Sequence, residues 1–266
     1  MAGRVITVTS GKGGVGKTTF SANVSAALAA LGKKTIAVDT DVGLRNLDII
    51  MGLENRIVFD LVDVVEGRCR LPKAFIRDKR LEGLHLLPAA QTRDKTAVSP
   101  EAMEKICAEL RHLFDYVIVD SPAGIERGFE NAIVGADEAV IITTPHVSSI
   151  RDADRVIGLL EAAEKRRIHL VVNRLQLEMV RRGDMLDIPD MLDILSIDLL
   201  GVIPEDESIV ISGNRGELAS LQENSRAGQA YKNIARRLLG EKVPFMPLET
   251  SNGLFKLLSR LFKKRH

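Results

Sequence analysis

The residues that could carry chemistry begin with a glycine-rich run, GKGGVGKT, over residues 11–18. This run satisfies the phosphate-loop pattern G-x-x-x-x-G-K-[ST] at every fixed position. Its glycines allow a tight turn, in which consecutive backbone N–H groups and the positive end of a following helix converge on a phosphate. In that pattern Lys17 reaches the β- and γ-phosphates, the Thr18 hydroxyl ligates Mg²⁺ and Thr19 contacts the α-phosphate. The predicted contacts to a nucleoside triphosphate are Gly11, Lys12, Gly13, Gly14, Val15, Gly16, Lys17, Thr18 and Thr19.

Aspartates at the ends of two apolar runs are the next candidates. Asp120 closes the run Tyr-Val-Ile-Val-Asp, and Asp39 and Asp41 end a second apolar run. Ligands of an open parallel sheet collect at the carboxyl ends of its strands, so these carboxylates should lie beside the phosphate loop. Asp120 has the position of an acid that holds Mg²⁺ through water. A turn or helix-cap role for these aspartates is the alternative that the residues leave open.

The elements that must position these residues alternate between strand and helix signals. This alternation predicts an α/β fold, a P-loop NTPase with a mostly parallel twisted sheet and helices on both faces, plus a C-terminal amphipathic helix. The predicted strands are Arg4–Ser10, Lys34–Asp39, Leu84–Leu87, Tyr116–Asp120, Ala139–Thr143, Ile168–Asn173 and Leu199–Ile203. The predicted helices are Thr18–Leu31, Phe59–Glu66, Glu101–Leu113, Glu130–Val134, Ser148–Ala163, Met185–Leu195 and Ala227–Leu239.

Composition and charge limit the classes of function. The chain has 266 residues, of which 45% are hydrophobic, and this suits one large globular domain. Five basic residues and no acid lie in 251–266, so the rest of the chain has a net charge of −4 although the whole carries +1. A mildly acidic body argues against binding nucleic acid over a whole face, and indicates that the basic end has its own partner. Cys69 and Cys107 fit no metal or disulfide spacing, and no apolar run suits a membrane span or a signal peptide, so we expect a cytoplasmic protein.

Lys12, directly after the first glycine, gives the loop a second lysine. The run KGGVGKT resembles the deviant phosphate loop (deviant Walker A motif) of the MinD/ParA ATPase family, and the resemblance extends from the first strand to the last helix. It implies that ATP is the nucleotide and that Lys12 crosses a dimer interface to the partner's nucleotide. It also implies that Asp41 orients the attacking water and that Asn46 lies in the same nucleotide-sensing loop. Asp39 could organise that loop instead of contacting ligand.

The resemblance implies three groups of site residues. The catalytic residues are Lys12, Lys17 and Asp41, and the metal ligands are Thr18, Asp41 and Asp120. The residues that flank the adenine are Asn173, Arg174, Pro204 and Asp206. From composition alone these last four would be turn residues. A second nucleotide-sensing loop is implied at 120–126.

Four runs, at 41–52, 87–95, 120–126 and 201–206, resemble the division-site branch of the family. That branch binds the division inhibitor MinC and is stimulated by MinE or another activator. The resemblance places these contacts on the helix that begins near residue 148, so the predicted partner contacts are Asp152 and Asp154. Acids near a helix N-terminus also complement the helix dipole, which remains an alternative.

Two other branches of the family compete with this interpretation. One contains flagellar-number ATPases, which usually carry an N-terminal extension, and the other contains ParA-type ATPases that partition chromosomes or plasmids. An early first strand and an acidic body count against a DNA-binding ParA-type protein. The division-site branch is therefore the preferred prediction.

The chain ends in apolar and basic residues at helical spacing. At about 100° per residue, the apolar ones share an arc of roughly 160° and the basic ones largely occupy the other side. Such a helix fits the boundary between acyl chains and headgroups of an anionic membrane, and two copies in an ATP dimer would bind by avidity. A helix docked on the body or on a partner protein is the alternative. The predicted membrane contacts are Leu254, Phe255, Leu257, Leu258, Leu261 and Phe262.

These observations divide the chain into three regions. We expect an ATPase domain over 1–242, a linker over 243–252 that contains two prolines, and a membrane-targeting helix over 253–266. The protein is then predicted to be cytoplasmic and peripheral on the inner face of the cell membrane.

Overall fold

A computed structural model describes residues 2–93, 97–125 and 127–247 of the chain. In these residues eight strands form one sheet, in the order β3-β4-β2-β5-β1-β6-β7-β8. Neighbouring strands are parallel except for β3, which pairs antiparallel with β4 at one edge. The strands are β1 Arg4–Thr9, β2 Thr35–Asp39, β3 Ile76–Arg77, β4 Leu84–Leu87, β5 Tyr116–Asp120, β6 Glu138–Thr143, β7 Ile168–Leu175 and β8 Asp198–Pro204. The predicted α/β fold with a mostly parallel sheet is confirmed.

Helices connect these strands. The α-helices are α1 Lys17–Ala30, α2 Leu47–Met51, α3 Leu61–Val65, α4 Pro100–Leu113, α5 Arg127–Ile133, α6 Val147–Ala162, α7 Leu177–Arg181, α8 Ile188–Leu195, α9 Glu207–Asn214 and α10 Arg226–Leu238. Short 3₁₀ turns lie at Glu54–Arg56, Leu71–Lys73 and Ala219–Leu221.

Among the strands and α-helices of the described residues, the sequence did not predict β3, α2, α7 and α9. Strand β3 has two residues and α2 and α7 have five each, which is too short for a periodic pattern to be recognised. Helix α8 begins at Ile188, three residues later than predicted, because the Asp187 side chain caps it by accepting a hydrogen bond from Asp190 N at 2.8 Å. These differences are local and leave the sheet unchanged.

Helices cover both faces of the sheet, which explains why its strands are continuous apolar runs. Helices α1 and α10 pack on one face, where Phe20 and Tyr231 are almost fully buried and meet edge to face with 6.1 Å between ring centroids. Helices α3, α4, α5, α6 and α8 contribute to the cores on the other face. Polar groups that could meet a ligand are therefore confined to the ends of the strands.

The carboxyl ends of β1, β2 and β5 meet at one edge of the sheet. Parallel register places Asp39 opposite Asp120, and Val8 of β1 is also opposite Asp120. The loops that follow these three strands therefore share this edge, as expected for an open parallel sheet. We call this side of the sheet, where the carboxyl ends of the parallel strands lie, the carboxyl edge. The side where their amino ends lie is the amino edge. Both names are distinct from the outer strands β3 and β8.

Helix α10 runs from the carboxyl edge to the amino edge. Ala227 N, in its first turn, donates to the Asp206 carboxylate just after β8 at 2.9 Å. At its other end Leu238 O accepts from Tyr116 Oη, at the start of β5, at 3.4 Å. The described chain ends at Pro247, so the predicted membrane helix at 253–266 lies outside the described residues. Among the described residues no helix is long and apolar enough to cross a membrane.

Candidate nucleotide-binding site

The phosphate loop connects β1 to α1 at the carboxyl edge. Gly14 and Gly16 have φ of 75° and 100°, in the left-handed region that glycine adopts without strain. Gly16 is the N-cap of α1, and no side chain caps the N–H groups of the first turn. A Cβ on Gly16 would overlap the side-chain amide of Asn173. Free N–H groups at a helix N-terminus form a binding place for an anion such as phosphate.

The first glycine of the loop, Gly11, is required for a different reason. A Cβ on Gly11 would overlap the backbone carbonyl of Asp152 in α6. Gly13 is not constrained in this way, since a Cβ there would only make ordinary contact with Ala123 at 3.6 Å. Gly11 therefore allows α6 to pack directly on the phosphate loop, which the loop pattern did not predict.

Lys17 is buried and lies at the centre of the site. Its Nζ donates to Ser10 Oγ at 2.9 Å, and Ser10 Oγ donates to Lys12 O at 2.8 Å. Burial lowers the pKa of the Lys17 ammonium, while the nearby charges of Asp120 and Asp41 oppose that change. The ammonium is thus held within the loop where phosphate oxygens would be placed.

Asp120 lies behind this lysine at the end of β5. The Asp120 carboxylate accepts a hydrogen bond from Ser21 Oγ at 2.7 Å and another from the Thr18 hydroxyl. Burial raises the pKa of Asp120 to about 6, although these hydroxyls and Lys17 lower it in part. A buried carboxylate next to a hydroxyl is a donor set that suits a hard divalent cation. Ser21 follows Thr18 by three residues, which is the helical spacing that could have identified it.

The part of the chain that the structure describes contains no cage of protein ligands for a metal. Within residues 2–93, 97–125 and 127–247, no group of three or more His, Cys, Asp and Glu side chains is arranged to hold a metal ion. Mg²⁺ bound to a nucleotide usually takes one or two protein ligands and completes its shell with water and phosphate oxygens. Thr18 and Asp120 fit that kind of site.

Asp39 ties together the loop between β2 and α2. Its two carboxylate oxygens accept from Asp41 N at 2.9 Å and from Leu47 N at 3.2 Å. Burial and the charge of Asp120 raise the pKa of Asp39 to about 7. Asp39 contacts backbone on both sides of the loop, which agrees with the role of loop organiser. Asp41 is half-buried, and Asn46 is exposed just before α2.

Two further contacts define the shape of that loop. Gly43 N donates to Ala90 O at 2.8 Å, which joins the loop to the segment after β4. Arg45 has φ of 39°, an uncommon backbone conformation for a side chain of its size, and its guanidinium pairs with the buried Asp48 at 2.9 Å.

The predicted run at 87–95 extends beyond Arg93 to residues outside the described chain. The second sensing loop also has one such residue, Glu126.

Lys12 is exposed at the outer side of the phosphate loop. Its Nζ is 3.4 Å from Ser148 Oγ in the first turn of α6. On the same helix Asp152 is half-buried and Asp154 is exposed. The predicted dimer lysine and the predicted partner helix therefore lie next to each other.

The residues predicted to flank adenine occupy the ends of β7 and β8. Asn173 is buried, and its Nδ2 donates to Val15 O in the phosphate loop at 2.8 Å. Arg174 is exposed, and Pro204 is the last residue of β8. The Asp206 carboxylate accepts from Ser208 N at 2.9 Å and from Ala227 N, so it caps α9 and fixes the start of α10. The structure therefore places Asn173 against the phosphate loop and gives Asp206 a structural part as a helix cap.

These features define a class of protein. A phosphate loop at the carboxyl edge of a doubly wound parallel sheet, with a buried aspartate behind its lysine, is the site of a P-loop NTPase. The family model for the CobQ/CobB/MinD/ParA nucleotide binding domain matches residues 6–219. The septum site-determining protein MinD of Bacillus subtilis is 53% identical over 266 residues, which covers 99% of each chain. The chain belongs to the MinD/ParA family of P-loop ATPases, and within it to the septum site-determining MinD group.

Solved structures agree with this assignment. The chain is similar to MinD in a MinC:MinD cell division protein complex from Aquifex aeolicus, with a TM-score of 0.86 and 51% identity, over 92% of this chain and 99% of that one. It is also similar to the septum site-determining protein MinD complexed with Mg-ADP from Pyrococcus horikoshii, with a TM-score of 0.80 and 28% identity, over 90% and 99% of the two chains.

Proposed function

We propose that the protein is a slow, Mg²⁺-dependent ATPase of the Min system that helps to place the division septum. In this proposal ATP makes it dimerise on the membrane, where it recruits MinC, and hydrolysis releases it. The observation that carries the proposal is the meeting of Lys17, Asp120 and the Asp39–Asp41 loop around one phosphate loop. The septum-site relatives favour this over the flagellar-number and partitioning alternatives.

The site residues have complementary parts in ATP hydrolysis. Backbone N–H groups at 13–18 and the Lys17 ammonium bind and orient the phosphates. Thr18 and Asp120 hold Mg²⁺, which neutralises negative charge on the phosphate oxygens when it is bound, and Asp41 contributes to the same site. Asp41 also orients the attacking water, and the hydrogen bonds that Asp39 accepts fix the Asp41 backbone in place. Adenine lies between the ends of β7 and β8, near the residues predicted to flank it, Asn173, Arg174, Pro204 and Asp206.

Lys12 completes the site of a second copy of the chain. It is exposed, and its 3.4 Å contact to Ser148 is long and readily exchanged. A lysine from a neighbour adds positive charge at the transferring phosphate, as an arginine finger does in other NTPases. Hydrolysis is therefore slow in the monomer and depends on dimerisation.

Light scattering and ATP turnover test this cycle. Asp41→Ala should bind ATP, remain dimeric and fail to hydrolyse it, whereas Lys17→Ala should lose nucleotide binding. Lys12→Ala should lose ATP-dependent turnover and dimerisation, while Lys105→Ala, an exposed lysine on α4, should behave as the unmodified protein. Normal dimerisation and turnover in Lys12→Ala would show that the site does not need a partner.

The partner surface is the N-terminal half of α6, with Asp152 and Asp154. The related MinC:MinD complex supports MinC as one occupant, and MinE or another activator is the second. Asp152→Ala should weaken MinC binding and leave basal ATP turnover unchanged, with Glu161→Ala on the same helix as the control. Equal MinC capture by both variants removes Asp152 from the interface.

The membrane contact is the segment 253–266, a proposal that rests on the sequence alone. Sedimentation with anionic liposomes should pellet the full chain with ATP and not with ADP, because two copies are needed for stable binding. Leu258→Glu or truncation before Ser251 should abolish pelleting, and Ser259→Gln on the polar side of the helix should not. Pelleting that is equal in ADP and ATP contradicts the switch.

A further inference from the structure

Arg237, near the end of α10, holds the chain that follows the helix. Its Nε donates to Val243 O at 3.0 Å, and its Nη2 donates to Pro244 O at 2.9 Å. Its Nη1 donates to Leu200 O in β8 at 3.0 Å, and the guanidinium lies over the Phe245 ring at 4.1 Å from the centroid. A planar group with several donors can make all these contacts together, which a lysine cannot. One side chain thus fastens the segment both to α10 and to the sheet.

The segment is held again at its far end. Met246 packs against the core cluster formed by β1, α1 and α10, and Arg226 donates from Nη2 to Pro247 O at 3.3 Å. Arg226 and Arg237 are separated by most of α10, about 16 Å at 1.5 Å per residue. An extended chain of five residues covers about 12 Å, so residues 243–247 span most of that length. We call residues 243–247 the strap.

The direction of the strap follows from that of α10. The helix ends at the amino edge of the sheet, where Gly240, with φ of 87°, allows the chain to turn. The strap then runs back toward Arg226, the first residue of α10, which lies at the carboxyl edge beside Asp206. The chain beyond Pro247 therefore starts at the same edge as the nucleotide site.

We propose that Arg237 and the strap set the point at which the C-terminal segment leaves the domain, and that this point is the carboxyl edge beside the loop after β8. This inference rests on the proposed function, in which 253–266 binds an anionic lipid surface. In the proposed ATP dimer Lys12 of each copy reaches the nucleotide of the other, so the two carboxyl edges face each other and both C-terminal segments leave their domains on the interface side. The second insertion is then favoured because the first has already placed it near the lipid.

Loss of the strap moves the start of the segment to the amino edge and lengthens the tether. The tether between the domain and residue 253 then consists of about residues 241–252 instead of residues 248–252. Effective concentration falls at least as the −3/2 power of tether length, so ATP-dependent lipid binding should weaken about 4-fold from length alone and up to about 10-fold with the displaced start.

The lipid test compares neighbouring arginines of α10 in the full chain. Arg237→Ala and Phe245→Ala should need about 4- to 10-fold more liposome, made of phosphatidylglycerol and phosphatidylcholine, to pellet half the protein with ATP. Arg236→Ala is the matched control, since Arg236 is exposed and pairs with Glu241 at 2.8 Å rather than with the strap. ATP turnover and dimerisation without lipid should be unchanged in all three. Unchanged lipid binding in both strap variants would overturn the proposal.

A second measurement needs no lipid. In a Cys69→Ser background, a dye on Asn252→Cys should accept energy from a fluorescent ADP analogue in the site, because the strap delivers the chain that leads to residue 252 at the carboxyl edge, where the site lies. Transfer should fall in Arg237→Ala and stay the same in Arg236→Ala. If transfer changes as expected but no protein pellets with ATP, the exit point stands and the membrane role fails. If energy transfer is weak in the protein with an unmodified strap, or if Arg237→Ala does not change it, the strap proposal is wrong.

Discussion

The two edges of the sheet each bury carboxylates, and they differ in how the negative charge is compensated. At the amino edge Glu138 accepts from Arg4 Nε at 2.9 Å and from Arg4 Nη2 at 2.6 Å, with His169 Nε2 at 3.5 Å. Burial raises the pKa of Glu138, but the hydrogen bonds from His169 and Arg4 outweigh it and bring the pKa to about 2. At the carboxyl edge burial raises the pKa of Asp39 to about 7 and that of Asp120 to about 6.

This difference separates stability from function. The amino edge supplies its own cations, so its buried acid is ionised and contributes to folding. The carboxyl edge keeps acids whose charge Lys17 offsets only in part, which leaves them ready for a cation that arrives with a ligand. Burial raises the pKa at both edges, and the presence or absence of compensating cations decides the net direction.

The strongest test of this comparison removes the amino-edge acid. Glu138→Ala should lower the free energy of unfolding by about 3 kcal/mol, because it leaves Arg4 and other basic groups without their buried partner. Urea denaturation measures the change, and Glu161→Ala on the exposed face of α6 should cost less than about 0.5 kcal/mol. ATP affinity should be unaffected, because Glu138 lies at the amino edge and the nucleotide site lies at the carboxyl edge. A loss below about 1 kcal/mol for Glu138→Ala would mean that the cluster is not a stabilising one.

The pH dependence of stability should have opposite signs at the two edges. Asp39 and Asp120 bind a proton more tightly when folded, so their stabilisation is present below pH 4 and is lost as the pH rises through 6 and 7. Glu138 stabilises above about pH 4.5 and loses its contribution as the pH falls toward 2.

For the protein without nucleotide or Mg²⁺, urea denaturation should therefore give maximal stability near pH 4 and a loss of about 4 kcal/mol between pH 5 and pH 8. Asp120→Asn should remove more than half of that loss, because it also lowers the pKa of the neighbouring Asp39. Glu138→Ala should retain the loss. A flat profile between pH 5 and 8 would contradict the charge imbalance at the carboxyl edge.

The smallest effect concerns a third carboxylate, Asp206, which lies at the carboxyl edge but whose negative charge is compensated by hydrogen bonds. Burial tends to raise the pKa of Asp206, and hydrogen bonds from Ala227 N and Ser208 outweigh it and lower the pKa. Asp206→Ala should cost about 1 kcal/mol of stability through the lost cap, and Asp206→Asn less, as measured by urea denaturation. A large fall in ATP affinity in Asp206→Asn with unchanged stability would instead identify Asp206 as a direct base contact.

The sequence predicted what depends on local pattern. The apolar runs located the predicted strands to within two residues, and the phosphate-loop spacing located Lys17 and Thr18. It could not predict contacts between distant elements, such as Gly11 against α6 or Asn173 against the phosphate loop, because neither leaves a local signal. The prolines at 244 and 247 indicated a linker, yet the start of that segment is fastened by Arg237, a residue of ordinary helical appearance.

The strand order has a consequence for how the chain folds during synthesis. Strand β1 is made first, but its neighbours are β5, which begins at Tyr116, and β6. About 110 residues must follow β1 before it can pair, which takes roughly 5 to 20 s at the usual rate of translation. The backbone N–H and C=O groups of β1 stay unpaired for that time, while β2 can already pair with β4. The covering helix α10 comes last, so the phosphate loop, though encoded within the first twenty residues, is assembled among the final parts of the domain.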